Sequence, residues 1–230
     1  IPLISMDVDL RRYFEIAPAP LFLPYCGEAK IGYERVCLWG PIDRLYTLQD
    51  AIYSELADTP NPKFTPTVKS KILFGIAAAM NQIHSYGIWH CDLNPLNIFL
   101  NSDLEPSLYN MCYSLQSLKG NNYMEISYDI SLGSSMNRVF WSPELLLSVG
   151  IQFNPSFDVY SYAMIIYAMF SHYRFIASNG EIMIDPSNAS KITLLELKNF
   201  LTHTRKVGSH PYERPQGIRD PLWKVVVSCW

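Results

Sequence analysis

HCDLNPLNIFLN, residues 90–101, is the stretch on which the reading of this chain turns. It sets a histidine, an acid and an amide in the pattern H-x-D-x-x-x-x-N, at His90, Asp92 and Asn97. Three fixed letters recur by chance, so their surroundings have to decide. Upstream, Thr65-Pro66 joins a capping hydroxyl to a proline at a first helical position. Ile72, Ile76, Met80 and Ile83 then recur at helical spacing, Ala77 and Ala79 leave room for close packing, and Gly87 supplies a stop. The spacing predicts a long helix that runs straight into the quoted stretch, with Ile88-Trp89-His90 as a short strand.

Downstream the order continues. Asn110-Met111-Cys112 opens a polar segment over 110–140, rich in Ser and Asn, with glycines at 120 and 133; loops of that length usually carry a function. Ser142-Pro143-Glu144 closes it. Residues 157–170 are apolar on nearly every face, as expected of a helix buried all round, and Asp158-Val159-Tyr160-Ser161-Tyr162-Ala163 begins it. Residues 193–206 read as an amphipathic helix, and Arg214-Pro215 precedes a last one over 220–230. At the front, two β-prone runs within 21–39, separated by GEAKIG, predict a hairpin. DLRRYFEI, residues 9–16, reads as a short helix within 1–17, and the three prolines of 58–66 as a loop. The fold class expected is α+β, a short β-containing front piece on a large helical body.

Composition bounds the function. Hydrophobic residues make up 49% and charged residues 17% of 230, which is globular and large enough to bury a core without metal or disulfide support. A net charge of −3 without a basic run argues against a nucleic-acid binder, the densest basic spot being Arg11-Arg12. The five cysteines form no CxxC pair, so reduced thiols and a cytoplasmic location are expected. The start lacks the signature of a signal peptide, and the most apolar run, 159–170, is too short to span a bilayer. Asn188-Ala189-Ser190 is read as a chance glycosylation triplet. Ile1 and Trp230 both look like cut ends, so a fragment of a longer protein is expected.

In this order and spacing the motifs closely resemble the protein kinase fold, over roughly Ala19 to Trp230. HCDLNPLNIFL is similar to the family's HRDLKPxNIFL, Asn110-Met111-Cys112 sits where DFG belongs, Ser142-Pro143-Glu144 where APE belongs, and DVYSYA resembles DVWSFG. The ending GIRDPLWKVVVSCW is similar to the tyrosine-kinase-like group of Ser/Thr kinases. The resemblance implies two lobes: a truncated N-lobe over 1–45, with an αC region in 1–17, strand four from Tyr25, strand five at Glu34–Trp39 and a hinge near 40–46, and a mainly helical C-lobe over 46–230.

It also implies roles. Asp92 stands at the catalytic base, and Asn97 at the ligand of a second Mg²⁺. Asn110 stands where an aspartate would bridge Mg²⁺ to the ATP phosphates; an amide brings only a dipole to a hard dication, so metal affinity should drop. Cys112 replaces the neighbouring glycine and reduces the backbone freedom of that turn. Asn94 replaces a lysine that faces the γ-phosphate, and Cys91 an arginine that docks an activation-loop phosphate, so phosphorylation of Ser131, Ser134 or Ser135 should not order the segment in the usual way. The first glycine is Gly27 and the first lysine Lys30, so the Gly-rich loop and the strand-three lysine are missing from this stretch, which truncation explains, as it does not explain Cys91, Asn94, Asn110 and Cys112; the αC glutamate position falls near Leu10, beside Asp9. His90, Glu144 and Asp158 are expected to hold the body together.

Residues that build the frame are thus kept while those that handle phosphate are lost. The expected function is a catalytically impaired pseudokinase, a regulatory module with protein partners, whose ATP and Mg²⁺ binding is weakened or lost. The alternative is an active Ser/Thr kinase that transfers the ATP γ-phosphate to protein hydroxyls and compensates for Asn110, a reading the retained Asp92 favours.

Overall fold

The structure is a computed structural model that describes residues 21–40, 46–56, 61–109, 135–147, 154–172, 174–176, 182–184, 194–207 and 212–230. The αC region, residues 41–45 of the hinge, Asn110 to Cys112, Ser131, Ser134 and the Asn188 triplet lie outside the described residues.

Strand β1 (Tyr25–Ile31) pairs antiparallel with β2 (Glu34–Trp39). The turn falls at Gly32, at a φ of 63°, and Tyr33. This corrects the hairpin expected from sequence: GEAKIG is not the connection, because most of it belongs to β1 itself. A two-stranded ribbon tolerates charged side chains on its solvated face, and Lys30 and Ile31 are exposed. The ribbon's base is tied to the body by backbone hydrogen bonds, Leu23 N–H to Leu108 O at 2.9 Å and Leu108 N–H to Leu21 O at 2.8 Å.

Helix α1 (Leu48–Ser54) is capped by Thr47, whose hydroxyl accepts from the Asp50 N–H while Asp50 accepts from the Thr47 N–H at 2.8 Å. Helix α2 (Pro66–Ser85) starts where Thr65-Pro66 places it, with Val68 N–H on the Thr65 hydroxyl. Ile72, Ile76, Met80 and Ile83 are all buried. Gly87, at a φ of 71°, follows its C-cap.

Residues 88–90 form no strand, contrary to the sequence expectation. Two of their amides are engaged elsewhere, Ile88 N–H on the Ile83 carbonyl and His90 N–H on a carboxylate, and so are not open to a ladder. The short hairpin is instead β3 (Ile98–Leu100) with β4 (Pro106–Leu108). It lies against α2 at Gly75, where an added Cβ would come 2.5 Å from the Pro106 ring. Glycine is what lets helix and hairpin approach so closely.

A 3₁₀ turn over Ser135–Phe140 leads into the short helix α3 (Pro143–Leu147). Helix α4 (Ser156–Ser171) is buried along most of its circumference, from Phe157 to Met169. Its Ser161 hydroxyl donates to the Phe140 carbonyl at 2.6 Å, joining the 3₁₀ turn to the core. The pair β5 (Phe175–Ile176) and β6 (Ile182–Ile184) follows, then α5 (Leu194–Val207) and α6 (Asp220–Ser228). Among the described residues no helix is long and apolar enough to cross a membrane.

Candidate functional site

The quoted stretch folds as a tight loop between α2 and β3, and one carboxylate holds its backbone. Asp158, in the first turn of α4, is fully buried. Its Oδ2 accepts the His90 N–H and its Oδ1 the Cys91 N–H, both at 2.7 Å, and His84 Nε2 lies 2.8 Å from Oδ2. The helix N-terminus favours a negative charge at this place. Cys91 has a φ of 62°, which costs a residue bearing a Cβ of order 1 kcal/mol. The Asp158 hydrogen bonds hold the backbone in that conformation.

His90 is buried as well. Its Nδ1 accepts from the Asp92 N–H at 3.3 Å, which leaves Nε2 to donate to the Tyr109 carbonyl at 3.0 Å. The ring therefore links the loop to the end of β4.

Asp92 occupies the centre of the loop and is partly buried. Its Oδ2 accepts from Asn97 Nδ2 at 2.8 Å, and its Oδ1 from Asn94 Nδ2 and from the Trp141 indole N–H, each at 3.2 Å. Burial raises the Asp92 carboxyl above its ordinary range; His90 and the hydrogen bonds from Trp141, Asn97 and Asn94 oppose that shift. Asn94 is 1% exposed and works within the loop. Its Oδ1 accepts the Leu96 N–H at 3.0 Å as the cap of a 3₁₀ turn over Pro95–Asn97. The Cys91 thiol is buried; burial pushes its pKa well up, and Asp158 and Asp92 add to the shift.

The structure thus brings His90, Asp92, Asn94, Asn97 and Asp158 together. Glu144 sits at the start of α3, partly buried, and Asn110 lies outside the described residues. Trp141 and His84 also reach the site, and sequence reasoning passed over both. Trp141 lies forty-nine positions from Asp92, a separation that no local pattern bridges.

The match to the protein kinase domain family covers residues 44–224. The chain belongs to the protein kinase family. Kinase domains of this family in general bind ATP with Mg²⁺, and phosphoryl transfer rests on positioning and on charge placed around the phosphates. A Dictyostelium discoideum protein named a probable inactive serine/threonine-protein kinase is 31% identical over 100 residues, which cover 42% of this chain. The matched stretch spans only 8% of that relative's length.

Mg²⁺ takes oxygen ligands in near-octahedral geometry and favours carboxylates. In the described part of this kinase domain, the loop offers the Asn97 amide and an Asp92 carboxylate already holding three side-chain donors. Among the described residues no group of three or more His, Cys, Asp or Glu could hold a metal ion. Asn110, the other residue expected at the ion, lies outside the described residues.

Proposed function

We propose that this kinase domain is a catalytically impaired pseudokinase of the tyrosine-kinase-like group, acting in the cytoplasm as a regulatory module that binds protein partners. Asn94 is the observation that carries the reading. At the position where the family's Ser/Thr kinases bring a lysine to the γ-phosphate stands a neutral amide, buried and hydrogen-bonded to Asp92 and Leu96 within its own loop. A cation there would stabilise charge that develops in the transition state, and preorganised charge of that kind is usually the largest catalytic contribution.

Cys91 supports the same reading. A buried thiol with a raised pKa stays neutral and cannot form the bidentate pair with phosphate that a guanidinium forms. Asn110 and Cys112 join the proposal on sequence grounds, as losses at the metal-binding turn. The two-lobe arrangement, divided into 1–45 and 46–230, belongs to the proposal too, with Glu144 and Asp158 as residues of the frame. The name of the Dictyostelium relative points the same way over the stretch it shares. A second reading, an active Ser/Thr kinase, is favoured by the retained Asp92 and its contact with Asn97 at 2.8 Å.

The experiment that separates them is a thermal melt of the full-length protein with ATP, with and without Mg²⁺. Ligand that binds the native state raises the midpoint by mass action, by about 2.7 kcal/mol of stability at a hundredfold excess over Kd. The impaired reading expects no Mg²⁺-dependent rise. A clear rise that needs Mg²⁺ would favour the second reading.

A further inference from the structure

A loop that has lost the charges around it still keeps its acid, and the geometry around Asp92 offers a reason. A carboxylate oxygen has about two lone-pair sites. Both sites of Oδ1 are taken, by Asn94 Nδ2 and by the Trp141 indole N–H, each at 3.2 Å. Oδ2 holds Asn97 Nδ2 at 2.8 Å, and the same amide also donates to the Asp92 carbonyl at 2.8 Å. The Asn donors come from the loop itself. Trp141 does not: it follows the 3₁₀ turn Ser135–Phe140, directly before Ser142 and α3. Its ring packs against the hydrophobic core, and that packing helps to hold the indole N–H at Asp92.

We propose that Asp92 and Trp141 form a latch that fastens the segment entering α3 to the catalytic-type loop, with Asp92 retained as a structural acceptor and Trp141 as its positioning partner. The latch has a chemical consequence. A substrate hydroxyl that is to give its proton to Asp92 needs a lone pair on that carboxylate, and at Oδ1 it competes with the indole N–H for one. The latch deepens the reading of an impaired kinase and rests on that reading only for this consequence.

The test is a double-mutant cycle on the full-length protein, Trp141→Phe against Asp92→Ala, read by urea unfolding and by ¹⁵N-indole spectra. Phe keeps most of the packing and removes the donor. The latch predicts that Trp141→Phe raises the unfolding constant about tenfold more with Asp92 present than in Asp92→Ala, a coupling of about 1.4 kcal/mol. It also predicts that Asp92→Ala shifts the Trp141 indole resonance, assigned by its loss in Trp141→Phe, while the other four of the five tryptophans hold still. If Asp92→Ala does not fold, Asp92→Asn closes the cycle; its neutral oxygen should leave a smaller but measurable coupling. Additive effects, or an unmoved Trp141 resonance, overturn the latch. Neither readout measures transfer, so an active protein would end the impaired reading without touching the latch, and an additive cycle would do the reverse.

Discussion

Two aspartates divide this kinase domain's loop between them, and they are held in different ways. Asp158 takes backbone amides, those of His90 and Cys91, together with His84. Asp92 takes side chains, those of Asn94, Asn97 and Trp141. Every residue but proline carries a backbone N–H, so the frame built on Asp158 is compatible with a cysteine at 91. A centre built from side chains has no such insurance. Change Asn94 or Trp141, and both the donors and the charge around Asp92 change with them. The loop can therefore keep its shape after its electrostatics have altered.

The largest expected effect is at the frame. Asp158→Ala orphans two buried amides, each costing about 1–3 kcal/mol when left unsatisfied, and releases Cys91 from its left-handed conformation. Urea denaturation should show a loss of about 3 kcal/mol or more. A loss under about 1 kcal/mol would mean that other contacts hold the loop and would break the contrast between the two aspartates.

A smaller effect is expected where α2 meets the β3–β4 hairpin. Gly75→Ala should gain about 1 kcal/mol in helix propensity. The new Cβ would also meet the rigid Pro106 ring at 2.5 Å, and overpacking of that kind costs about 1–3 kcal/mol. A net loss of about 1 kcal/mol in the same assay is the outcome expected. A net gain would show that the frame yields at this contact, and would sharpen the comparison by confining its rigidity to Asp158.

The smallest effect is at Cys91. With its thiol buried and its pKa raised in the fold, the native state keeps the proton that the unfolded chain gives up above the ordinary value of 9.0. The unfolded state then binds fewer protons, and stability falls as pH rises through that value. Cys91→Ser should flatten the decline above about pH 8.5. In native protein at neutral pH, iodoacetamide should label the exposed Cys26 well before the buried Cys91. Equal labelling rates would place Cys91 in a more open loop.

Much of the frame was legible in the sequence because its signals are local. Thr65-Pro66 marks the start of α2, and the apolar run after Asp158 marks α4. Glu34–Trp39, expected as the strand before the hinge, is β2. The misses were of two kinds. Helix α1 was passed over although Thr47-Leu48-Gln49-Asp50 carries a capping box, because it is short and adjoins a stretch read as hinge. The strand expected at 88–90 failed for a tertiary reason, since Asp158 and Ile83 take the amides that a ladder would use. At the candidate site, the resemblance to the kinase family gathered His90, Asp92, Asn94, Asn97 and Asp158 into one constellation, and the structure brings these five together. Trp141 was not, because an aromatic residue beside Ser142-Pro143-Glu144 looks like core until its N–H is seen to face a carboxylate.

The central proposal is that this kinase domain keeps the frame and is impaired in transfer. The most direct test is a radiometric assay of the full-length protein with labelled ATP, Mg²⁺ and a mixture of Ser- and Thr-containing peptides, run beside Asp92→Asn. The account predicts that both proteins transfer label at the same background rate. Transfer well above background by the unaltered protein, abolished in Asp92→Asn, would contradict it.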